Sequence, residues 1–375
     1  MAKVLFLYVD AGYGHRKVAE AVYRELVSRN SPNLEIEIFD ALKKTNFLFG
    51  RSYAGAYYRM VVHASWLWGF FFSLTNSAFL YALISPLRTI WNWFQSFKLR
   101  NYIEQGNYDV IIFTHFFPAE VCATLKRRGR IHSKLITIVT DVIPHRVWIN
   151  PGTDLYWVMA RESSNILADY HVGPSQVQVK GIPISSDFIK PIDRLKIRKK
   201  LDLDENKLTI LFTSGSFGIG PTEEALDSFS DLKDLIQVIV VCGQNKILLH
   251  ALNKRKFVFP VRLFGFVDNM YELMSASDLL IAKPGGATTC ESLVKRLPMI
   301  ITSAIPGQET ENAKWLVSHQ AALQINDPSE IKGTIARIIK DPNLLESLRS
   351  AIKTIAKPEA TKELADLILS STKNE

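Results

Sequence analysis

The 375-residue sequence predicts an α/β protein made of two doubly wound domains, each with a parallel sheet. Apolar runs of strand length alternate with stretches of helical periodicity, which is the pattern of repeated βαβ units. This alternation occurs once before and once after Gly181-Ile182-Pro183, which we interpret as a hinge. A chain of this length is long enough for two domains with separate cores. We therefore predict a first domain at residues 1–182 and a second at residues 183–357.

The first domain begins with the apolar run Lys3–Val9, which predicts a strand that ends at a small glycine loop. A helix is predicted next because Val18, Val22 and Leu26 recur on one helical face. The remaining strands of this domain are predicted at Glu35–Phe39, Val110–Phe113, Leu135–Val139 and Leu155–Met159.

The second domain repeats the alternation. Its strands are predicted at Leu208–Phe212, Ile236–Val241, Val261–Phe264, Leu279–Ala282 and Met299–Ile301. Parallel sheets of this kind bind ligands outside the carboxyl ends of their strands, so the loops that follow these strands are the candidate binding segments.

A segment rich in aromatic and basic residues interrupts the first domain. From Ala41 to Ile103 the sequence contains no Asp or Glu. Its basic residues are Lys43, Lys44, Arg51, Arg59, Arg88, Lys98 and Arg100, interleaved with many Phe, Tyr and Trp side chains. Basic charge mixed with aromatic surface is typical of a membrane interface, and anionic lipids attract such charge. We predict membrane contacts at Arg59, Trp66, Trp68, Phe70, Phe71 and Arg88.

The stretch between Arg59 and Arg88 is long enough to span a bilayer. Scattered Ser, Thr and Asn residues argue against a span, and a span would place strands of one domain on opposite sides of the membrane. A peripheral, monotopic contact is therefore favoured, with ordinary core helices as the alternative.

The cysteine spacing, the first residues and the net charge limit where the protein is expected to be located and what it is expected to bind. Cys122, Cys242 and Cys290 are far apart and form no CxxC pair, which argues against a disulfide framework or a structural zinc site. The sequence starts directly in a strand, so export is not expected. We predict a protein at the cytoplasmic face of the membrane. The net charge of +8 also suits nucleic acid, but the long uncharged stretch favours lipid.

The most informative segment runs from Ile281 to Asn312. A strand ends at Lys283-Pro284-Gly285-Gly286, a helix containing Glu291 follows, and a later loop carries Pro306-Gly307-Gln308-Glu309. The glycines let backbone amides approach an anion, and the helix start offers unpaired N–H groups. The polar side chains could bind a ribose and a sugar. An ordinary βα turn is the alternative.

Three other loops carry candidate residues. Ser214-Gly215-Ser216 could hold a diphosphate, although a tight turn is equally consistent. Gly12-Tyr13-Gly14-His15 starts like a dinucleotide fingerprint, but Lys17 stands where the third glycine belongs, so a nicotinamide enzyme is not expected. Thr140-Asp141 ends a predicted strand, and His115 follows another. Asp202-Leu203-Asp204 matches a DxD pattern inside a charged linker, so a solvated turn is preferred and no metal is predicted.

The order KPGG-x-TT-x-E, LP-x-I and PGQE-x-x-N resembles the donor half of family 28 glycosyltransferases. Within that family the chain looks most like the monogalactosyldiacylglycerol synthases and processive diacylglycerol glucosyltransferases. The resemblance covers almost the whole chain. It implies a GT-B fold of two Rossmann-like domains facing across a cleft, with a C-terminal helix at about 358–375 packing back on the first domain.

The resemblance also implies roles for the candidate residues. It makes His15 the general base, because the family carries Gly-x-Gly-His at this point, and it places Asp141, His145 and Trp148 near the acceptor. Gly265-Phe266-Val267 resembles a uracil-contacting segment, although Phe266 could also be a core residue. The candidate donor-binding residues are Gly14, Ser214, Gly215, Ser216, Phe266, Val267, Lys283, Gly285, Gly286, Thr288, Glu291, Gln308, Glu309 and Asn312.

The implied activity is inverting, metal-independent transfer of a hexose from a UDP-sugar to the free hydroxyl of diacylglycerol, without a cofactor. The Gln308-Glu309 pair does not distinguish glucose from galactose. Two alternatives stay open. One is N-acetylglucosaminyl transfer to an undecaprenyl-linked peptidoglycan precursor, although Asp10–His15 departs from the Gly-Gly-Thr-Gly-Gly-His pattern of that group. The other is a non-catalytic GT-B membrane-binding protein, against which His15 and Glu291 argue.

Overall fold

A computed structural model describes residues 1–10, 12–215, 218 and 220–372, with the backbone alone at positions 54, 57, 58 and 62. The chain divides into two compact units. The first unit contains residues 1–186, the short segment Pro306–Gln308 and the C-terminal segment from Lys357. The second unit contains Asp187–Ile305 and Glu309–Ala356.

The first unit is built on a six-stranded parallel sheet in the order β2-β1-β3-β4-β5-β6. Its strands are β1 (Ala2–Tyr8), β2 (Leu34–Asp40), β3 (Val110–Phe113), β4 (Lys134–Ile138), β5 (Leu155–Val158) and β6 (Val177–Val179). Its helices are α1 (Tyr13–Ser28), α2 (Phe47–His63), α3 (Ser65–Asn76), α4 (Ala78–Gln95), α5 (Phe97–Gly106), α6 (Phe116–Arg127), α7 (Arg161–Asp169) and α16 (Ala360–Ser371). The strand order reverses direction between β1 and β3, so the loops after these two strands flank the switch point.

The second unit has its own six-stranded parallel sheet, in the order β12-β11-β10-β7-β8-β9. Its strands are β7 (Leu208–Thr213), β8 (Ile236–Val241), β9 (Val261–Phe264), β10 (Leu279–Ala282), β11 (Met299–Ile301) and β12 (Ala322–Gln324). Its helices are α8 (Arg194–Lys200), α9 (Thr222–Ser228), α10 (Lys246–Asn253), α11 (Met270–Ala276), α12 (Gly286–Val294), α13 (Gln308–Ser318), α14 (Glu330–Lys340) and α15 (Pro342–Ile355), the first residue of α13 being grouped with the first unit. Here the order reverses between β7 and β10. The predicted pair of doubly wound parallel sheets is confirmed.

The segment rich in aromatic residues forms α2 to α5, and α4 has an unusual orientation. Arg88, Thr89 and Asn92 hydrogen-bond the buried carboxylate of Glu120 on α6. The opposite side of α4 is apolar and exposed, at Phe79, Leu83, Leu87, Ile90, Trp91 and Phe94. The helix therefore turns its polar side inward and its apolar side toward solvent.

No single helix in the described chain is both long and apolar enough to cross a membrane. Taken together, α3 and α4 have the length and composition for a span, but the pair is bent by 99° where the two helices meet.

The C-terminal helix α16 packs on α1 within the first unit. Arg29 at the end of α1 pairs with Asp366 and donates a hydrogen bond to the backbone carbonyl of Lys362, 3.2 Å away. Before α16, the chain passes against the turn that follows β6. A Cβ at Gly181 would lie 2.4 Å from the Cβ of Lys357, and Gly181 has a φ of +96°.

We expect Gly181→Ala to destabilise the first unit more than Gly129→Ala. Both glycines have positive φ, so either substitution costs about 1–2 kcal/mol in backbone strain. Only Gly181 faces a steric clash, because a Cβ at Gly129 would meet no atom within 4 Å. Overpacking adds roughly 1–3 kcal/mol. Urea unfolding of both variants measures the difference, and equal losses would contradict the close approach of Lys357.

Candidate functional site

The candidate catalytic residues of the first unit lie at the switch point of its sheet. His15 is in the first turn of α1, which follows β1. Thr114 and His115 follow β3, and Thr140 and Asp141 follow β4. Because β1, β3 and β4 are adjacent in the sheet, their carboxyl ends bring these residues together.

The tautomer of His15 is set by its hydrogen bonds. Its Nδ1 lies 2.5 Å from the backbone carbonyl oxygen of Thr114 and 3.1 Å from Oγ1 of Thr140. A carbonyl oxygen can only accept, so Nδ1 carries the hydrogen and Nε2 keeps its lone pair. Burial lowers the pKa of His15 to about 4, partly offset by the Thr114 hydrogen bond. The imidazole is therefore neutral at physiological pH, with Nε2 as a proton acceptor.

His115 lies beside His15, with 4.8 Å between their ring centroids. It caps α6, because its Nδ1 accepts a hydrogen bond of 3.1 Å from the backbone N–H of Phe117. Burial, followed by the charge of a protonated His15, holds the pKa of His115 well below its usual value. The sequence marks His115 only as a residue after a strand. Its place against His15 depends on the pairing of β1 with β3.

Asp141 is held by Trp148. The indole Nε1 of Trp148 donates a hydrogen bond of 2.9 Å to Oδ2 of Asp141. Burial raises the pKa of Asp141 to about 6, and this hydrogen bond partly offsets the rise. Trp148 itself is only 1% exposed, so it is a core residue that supports Asp141, and its place near the acceptor stays a prediction.

His145 connects the loop that follows Asp141 to helix α3. Its Nδ1 accepts from the backbone N–H of Val147 (3.0 Å), and its Nε2 donates to the carbonyl oxygen of Phe72 (3.0 Å). Next to it, Arg146 donates both its backbone N–H and its Nε to Asn76. The loop after Asp141 and the last turn of α3 are therefore fixed to each other.

The predicted membrane residues divide into two groups. Trp66, Phe70 and Phe71 are exposed, Trp66 by 72%, whereas Trp68 is half-buried. Arg59 is exposed and donates a hydrogen bond to the carbonyl oxygen of Gly55. Arg88 departs from the expectation. It points inward, where its ion pair with Glu120 (3.1 Å) removes it from the charge available to a membrane.

In the second unit, the loop after β7 is shaped by a tight turn. Gly215 and Gly218 both have positive φ, and a Cβ at Gly218 would lie 2.2 Å from the carbonyl oxygen of Cys242. Ser214 is buried, with its Oγ 3.1 Å from Oγ1 of Thr222. Ser216, the predicted diphosphate contact, lies outside the described residues. The described part of the loop is therefore held in place by this tight turn and by the contact between Ser214 and Thr222.

The Lys283–Gly286 loop follows β10, which pairs with β7. Helix α12 begins at Gly286 after the extended residue Gly285, which has no side chain to cover the first N–H groups. Thr288 and Glu291 lie on this helix and are partly buried. Burial lowers the pKa of Lys283, an effect that Glu309 opposes. An open helix start beside an ammonium group is suited to an anionic ligand.

Glu309 and Asn312 on α13 hold neighbouring loops. Oε2 of Glu309 accepts from the backbone N–H of Ile305 at 2.8 Å. Asn312 is 1% exposed, and its Nδ2 donates to the carbonyl oxygen of Pro284 at 2.9 Å. Both residues therefore shape the predicted donor loops, and Gln308 is the first residue of α13. Their contact with a sugar stays a prediction.

Phe266 is exposed, so it is not a core residue. With Gly265 and Val267, it follows β9, whose pairing with β8 puts this turn at the carboxyl edge of the sheet. A role in binding a base stays a prediction.

The DxD letters at Asp202–Asp204 form a turn. Asp202 has a positive φ and pairs with Arg262, and Oδ1 of Asp204 accepts from the backbone N–H of Asn206. Within the part of the chain that the structure describes, no three His, Cys, Asp or Glu side chains group closely enough to hold a metal ion.

Two family models match the chain. Residues 15–184 match monogalactosyldiacylglycerol (MGDG) synthase, and residues 209–368 match the glycosyltransferase family 28 C-terminal domain. Among curated proteins, a processive diacylglycerol beta-glucosyltransferase of Bacillus cereus is 32% identical over 288 residues, covering 75% of this chain and 74% of that protein.

Solved structures agree on the fold. Acinetobacter baumannii MurG superposes with a TM-score of 0.63 at 16% identity, covering 99% of this chain and 100% of that one. S. aureus MnaA with UDP superposes with a TM-score of 0.65 at 13% identity, covering 100% and 99%. At these identities the likeness concerns the GT-B architecture alone.

We expect Asp141→Asn to stabilise the protein more at neutral pH than at about pH 4. The folded-state pKa of about 6 lies above the ordinary value of about 3.9. The stability that the protonated carboxyl contributes is therefore complete below about pH 4 and is lost as the pH rises through 6. The asparagine side chain stays neutral over this pH range, and its amide oxygen can still accept the hydrogen bond from Nε1 of Trp148. The expected gain at neutral pH is of the order of 2 kcal/mol.

The measurement is the unfolding free energy of Asp141→Asn across this pH range. Asp169→Asn is the matched control, because it removes an exposed carboxylate from the same unit. A pH dependence shared by both variants would show that burial does not perturb Asp141.

Proposed function

Because the chain belongs to family 28 of the glycosyltransferases, in the group of the monogalactosyldiacylglycerol synthases, we propose that it transfers a hexose from a UDP-sugar to diacylglycerol at a membrane surface. The observation that carries the proposal is His15, whose Nδ1 is committed to Thr114 and whose neutral Nε2 can accept a proton.

The reaction is a single displacement. Nε2 of His15 removes the proton from the free hydroxyl of diacylglycerol as that oxygen attacks the anomeric carbon of the hexose. The bond from the anomeric carbon to the diphosphate breaks, and its electron pair leaves with UDP. An α-linked donor then gives a β-glycosyl diacylglycerol, and His15 passes its proton to water.

The basicity of His15 depends on the charge of its surroundings. A pKa of about 4 makes the free imidazole a weak base. A nearby anion favours the protonated form of a histidine, so negative charge that the bound substrates bring to His15 would raise its basicity. The backbone carbonyl oxygen of Thr114 stabilises the imidazolium, because it accepts a hydrogen bond from Nδ1 of His15.

The donor is held by the second unit in this proposal. The open start of α12 and the amides of the glycine loops receive the diphosphate, together with Lys283, and Glu291 holds the ribose. Gln308, Glu309 and Asn312 are proposed to shape or contact the hexose pocket. Helix ends and an ammonium group stabilise the leaving diphosphate, so we propose no metal requirement.

We propose glucose as the first hexose to test, because the relatives at 32% identity are named diacylglycerol glucosyltransferases. The membrane contact is proposed for the exposed apolar side of α4 and for Trp66, Phe70 and Phe71 of α3. A peripheral protein that enters the lipid interface with aromatic side chains needs no spanning helix.

The decisive experiment incubates the purified chain with vesicles containing diacylglycerol and with UDP-glucose, UDP-galactose or UDP-N-acetylglucosamine in turn. Mass spectrometry of the lipids should show a monohexosyl diacylglycerol, and EDTA should leave its yield unchanged. Parallel vesicles carry an undecaprenyl-linked peptidoglycan precursor instead of diacylglycerol. Release of UDP without any glycolipid, or transfer only from UDP-N-acetylglucosamine to that precursor, would reject the proposal.

We expect His15→Ala to lower kcat by roughly 10²–10⁴, the usual contribution of general base catalysis. His132→Ala is the matched control, because it removes an exposed histidine from the same unit. Initial rates with saturating UDP-sugar measure the effect. If the His15→Ala enzyme had the same rate as the control, His15 would not be the general base.

We expect replacing Trp91 and Phe94 by Ser to release the protein from vesicles. Each ring is exposed on α4, and withdrawing a large apolar side chain from lipid costs about 1.5 kcal/mol or more. The predicted loss is at least tenfold per ring in vesicle flotation. Ile247→Ser, which changes an exposed apolar residue on α10, should leave flotation unchanged. An equal loss of flotation in this control would show that the exposed side of α4 has no special role in membrane binding.

A further inference from the structure

One ring nitrogen of His115 is used by the fold and the other is not. Its Nδ1 accepts a hydrogen bond of 3.1 Å from the backbone N–H of Phe117 at the start of α6. A neutral imidazole carries a single hydrogen, so in this ring the hydrogen is on Nε2. No hydrogen bond from Nε2 to any described residue is found, and the side chain is only 3% exposed. His115 therefore holds a buried donor that the protein itself does not use.

The ring of His115 is held by its neighbours. Phe116 stacks on it with 4.1 Å between the ring centroids and 31° between the ring planes. His15 meets it at 4.8 Å and 77°, and Tyr53 of α2 meets it at 6.1 Å and 74°. Ring contacts at these distances and angles are favourable. Together with the hydrogen bond from Phe117, they fix the direction of the Nε2–H bond.

His15 and His115 form a pair of neutral imidazoles with opposite tautomers. Nδ1 of His15 donates to the carbonyl oxygen of Thr114, so its Nε2 is an acceptor. Nδ1 of His115 accepts from Phe117, so its Nε2 is a donor. Burial lowers the pKa of both histidines, which keeps both rings neutral. Because the two rings are in contact, the pair offers one acceptor and one donor to the same small molecule.

The surroundings of His115 favour an uncharged ligand group. Aromatic rings lie around it, since Phe116 and Tyr53 contact it directly, and Phe49 and Phe117 contact Tyr53 in turn. Placing a charged group among such rings is costly, whereas an ester is uncharged and only accepts hydrogen bonds. A glyceryl ester carries a carbonyl oxygen a few bonds away from its free hydroxyl. The donor and the acceptor of the histidine pair match these two groups.

We propose that His115 orients the acceptor by recognising its ester. The Nε2–H of His115 donates to the carbonyl oxygen of the acyl group next to the free hydroxyl of a 1,2-diacylglycerol, and this contact places the hydroxyl against Nε2 of His15. The inference rests on the proposed function and adds a selectivity to it. A site that hydrogen-bonds a substrate group rejects an analogue without that group, because the protein donor then stays buried without an acceptor.

The first test compares acceptors in otherwise identical vesicles. They are 1,2-diacyl-sn-glycerol, its analogue with an ether-linked chain at position 2, and its analogue with an ether-linked chain at position 1. We expect kcat/KM to fall about tenfold or more only when the carbonyl at position 2 is missing, the usual effect of a lost hydrogen bond that leaves a buried donor unpaired. Equal use of all the acceptors, or an equal loss with either ether, would overturn the proposal.

The second test separates this contact from the structural role of His115. Asparagine caps helices well, so His115→Asn keeps the acceptor for Phe117 but has no donor at the position of Nε2. Glutamine is longer, and its amide N–H reaches that position. We expect His115→Asn to use the diacylglycerol and the position 2 ether with equal kcat/KM, and His115→Gln to keep most of the preference. The control His132→Asn, at an exposed histidine of the same unit, should keep all of it. If His115→Asn slows both acceptors by the same factor, the residue has only a structural role and the proposal is wrong.

The third test needs no turnover. Long-range ¹H–¹⁵N correlation spectra should show the hydrogen on Nδ1 in His15 and on Nε2 in His115, with the His115 signals assigned by their loss in His115→Asn. Adding 1,2-dihexanoyl-sn-glycerol should shift the Nε2 resonance of His115, and the analogue with an ether at position 2 should not. The opposite tautomer of His115, or the same shift with both ligands, would overturn the proposal whatever the activity.

The outcome is separable from the proposed function. A protein that glycosylates the ester and both ethers equally well would keep the proposed activity and lose the role of His115. A protein that forms no glycolipid from any of them would lose the proposed activity, and the spectra with 1,2-dihexanoyl-sn-glycerol would then decide whether the ester contact exists.

Discussion

The buried carboxylate of Glu120 is the constraint on which the surface of the first unit depends. It is 4% exposed and accepts hydrogen bonds from Arg88 (3.1 Å), Thr89 (2.5 Å) and Asn92 (2.6 Å). A buried carboxylate left without these donors would carry a desolvation cost of several kcal/mol. Helix α4 must therefore present its polar side to α6. Its apolar side then has no place except the surface, which is the reverse of a normal amphipathic helix.

The same unit connects this exposed surface to the candidate catalytic residues. Phe72 and Asn76 of α3 hydrogen-bond His145 and Arg146, which follow Asp141 by only a few residues. His15, His115 and Asp141 follow neighbouring strands of one sheet, so their spacing is set by the backbone ladder and not by flexible side chains. If lipid enters beside α3 and α4 as we propose, it meets candidate acceptor residues that are held rigidly.

The predicted binding loops of the second unit present mainly backbone amides, whereas the candidate site of the first unit presents side chains. Its glycines allow close approach at Gly218 and place no capping side chain at Gly285, before the start of α12. Buried polar residues such as Asn312 hold these loops by hydrogen bonds to carbonyl groups. Backbone amides held in this way would not reorganise as charge develops on the proposed leaving diphosphate, which is the contribution to catalysis that we propose for these loops.

Local residue patterns predicted both parallel sheets. Apolar runs such as Ile236–Val241 are buried on both faces, so local pattern and final structure agree there. The strands Val177–Val179 and Ala322–Gln324 escaped prediction because each is a three-residue edge strand with little apolar signal, stabilised only by its neighbour. The segment rich in aromatic and basic residues was recognised from residue types, whereas the role of His15 came from the family resemblance, and both functional roles stay predictions.

The direction in which individual side chains face depends on tertiary packing. Arg88 and Trp148 turn inward because their partners Glu120 and Asp141 lie there. Arg88 is 32 residues from Glu120, and Trp148 is seven residues from Asp141 in a segment that forms no continuous helix, so no helix or strand period reveals either pair. His115 contacts His15 across roughly a hundred residues of chain. Such pairs depend on strand order and helix packing, which are non-local, and no local periodicity encodes them.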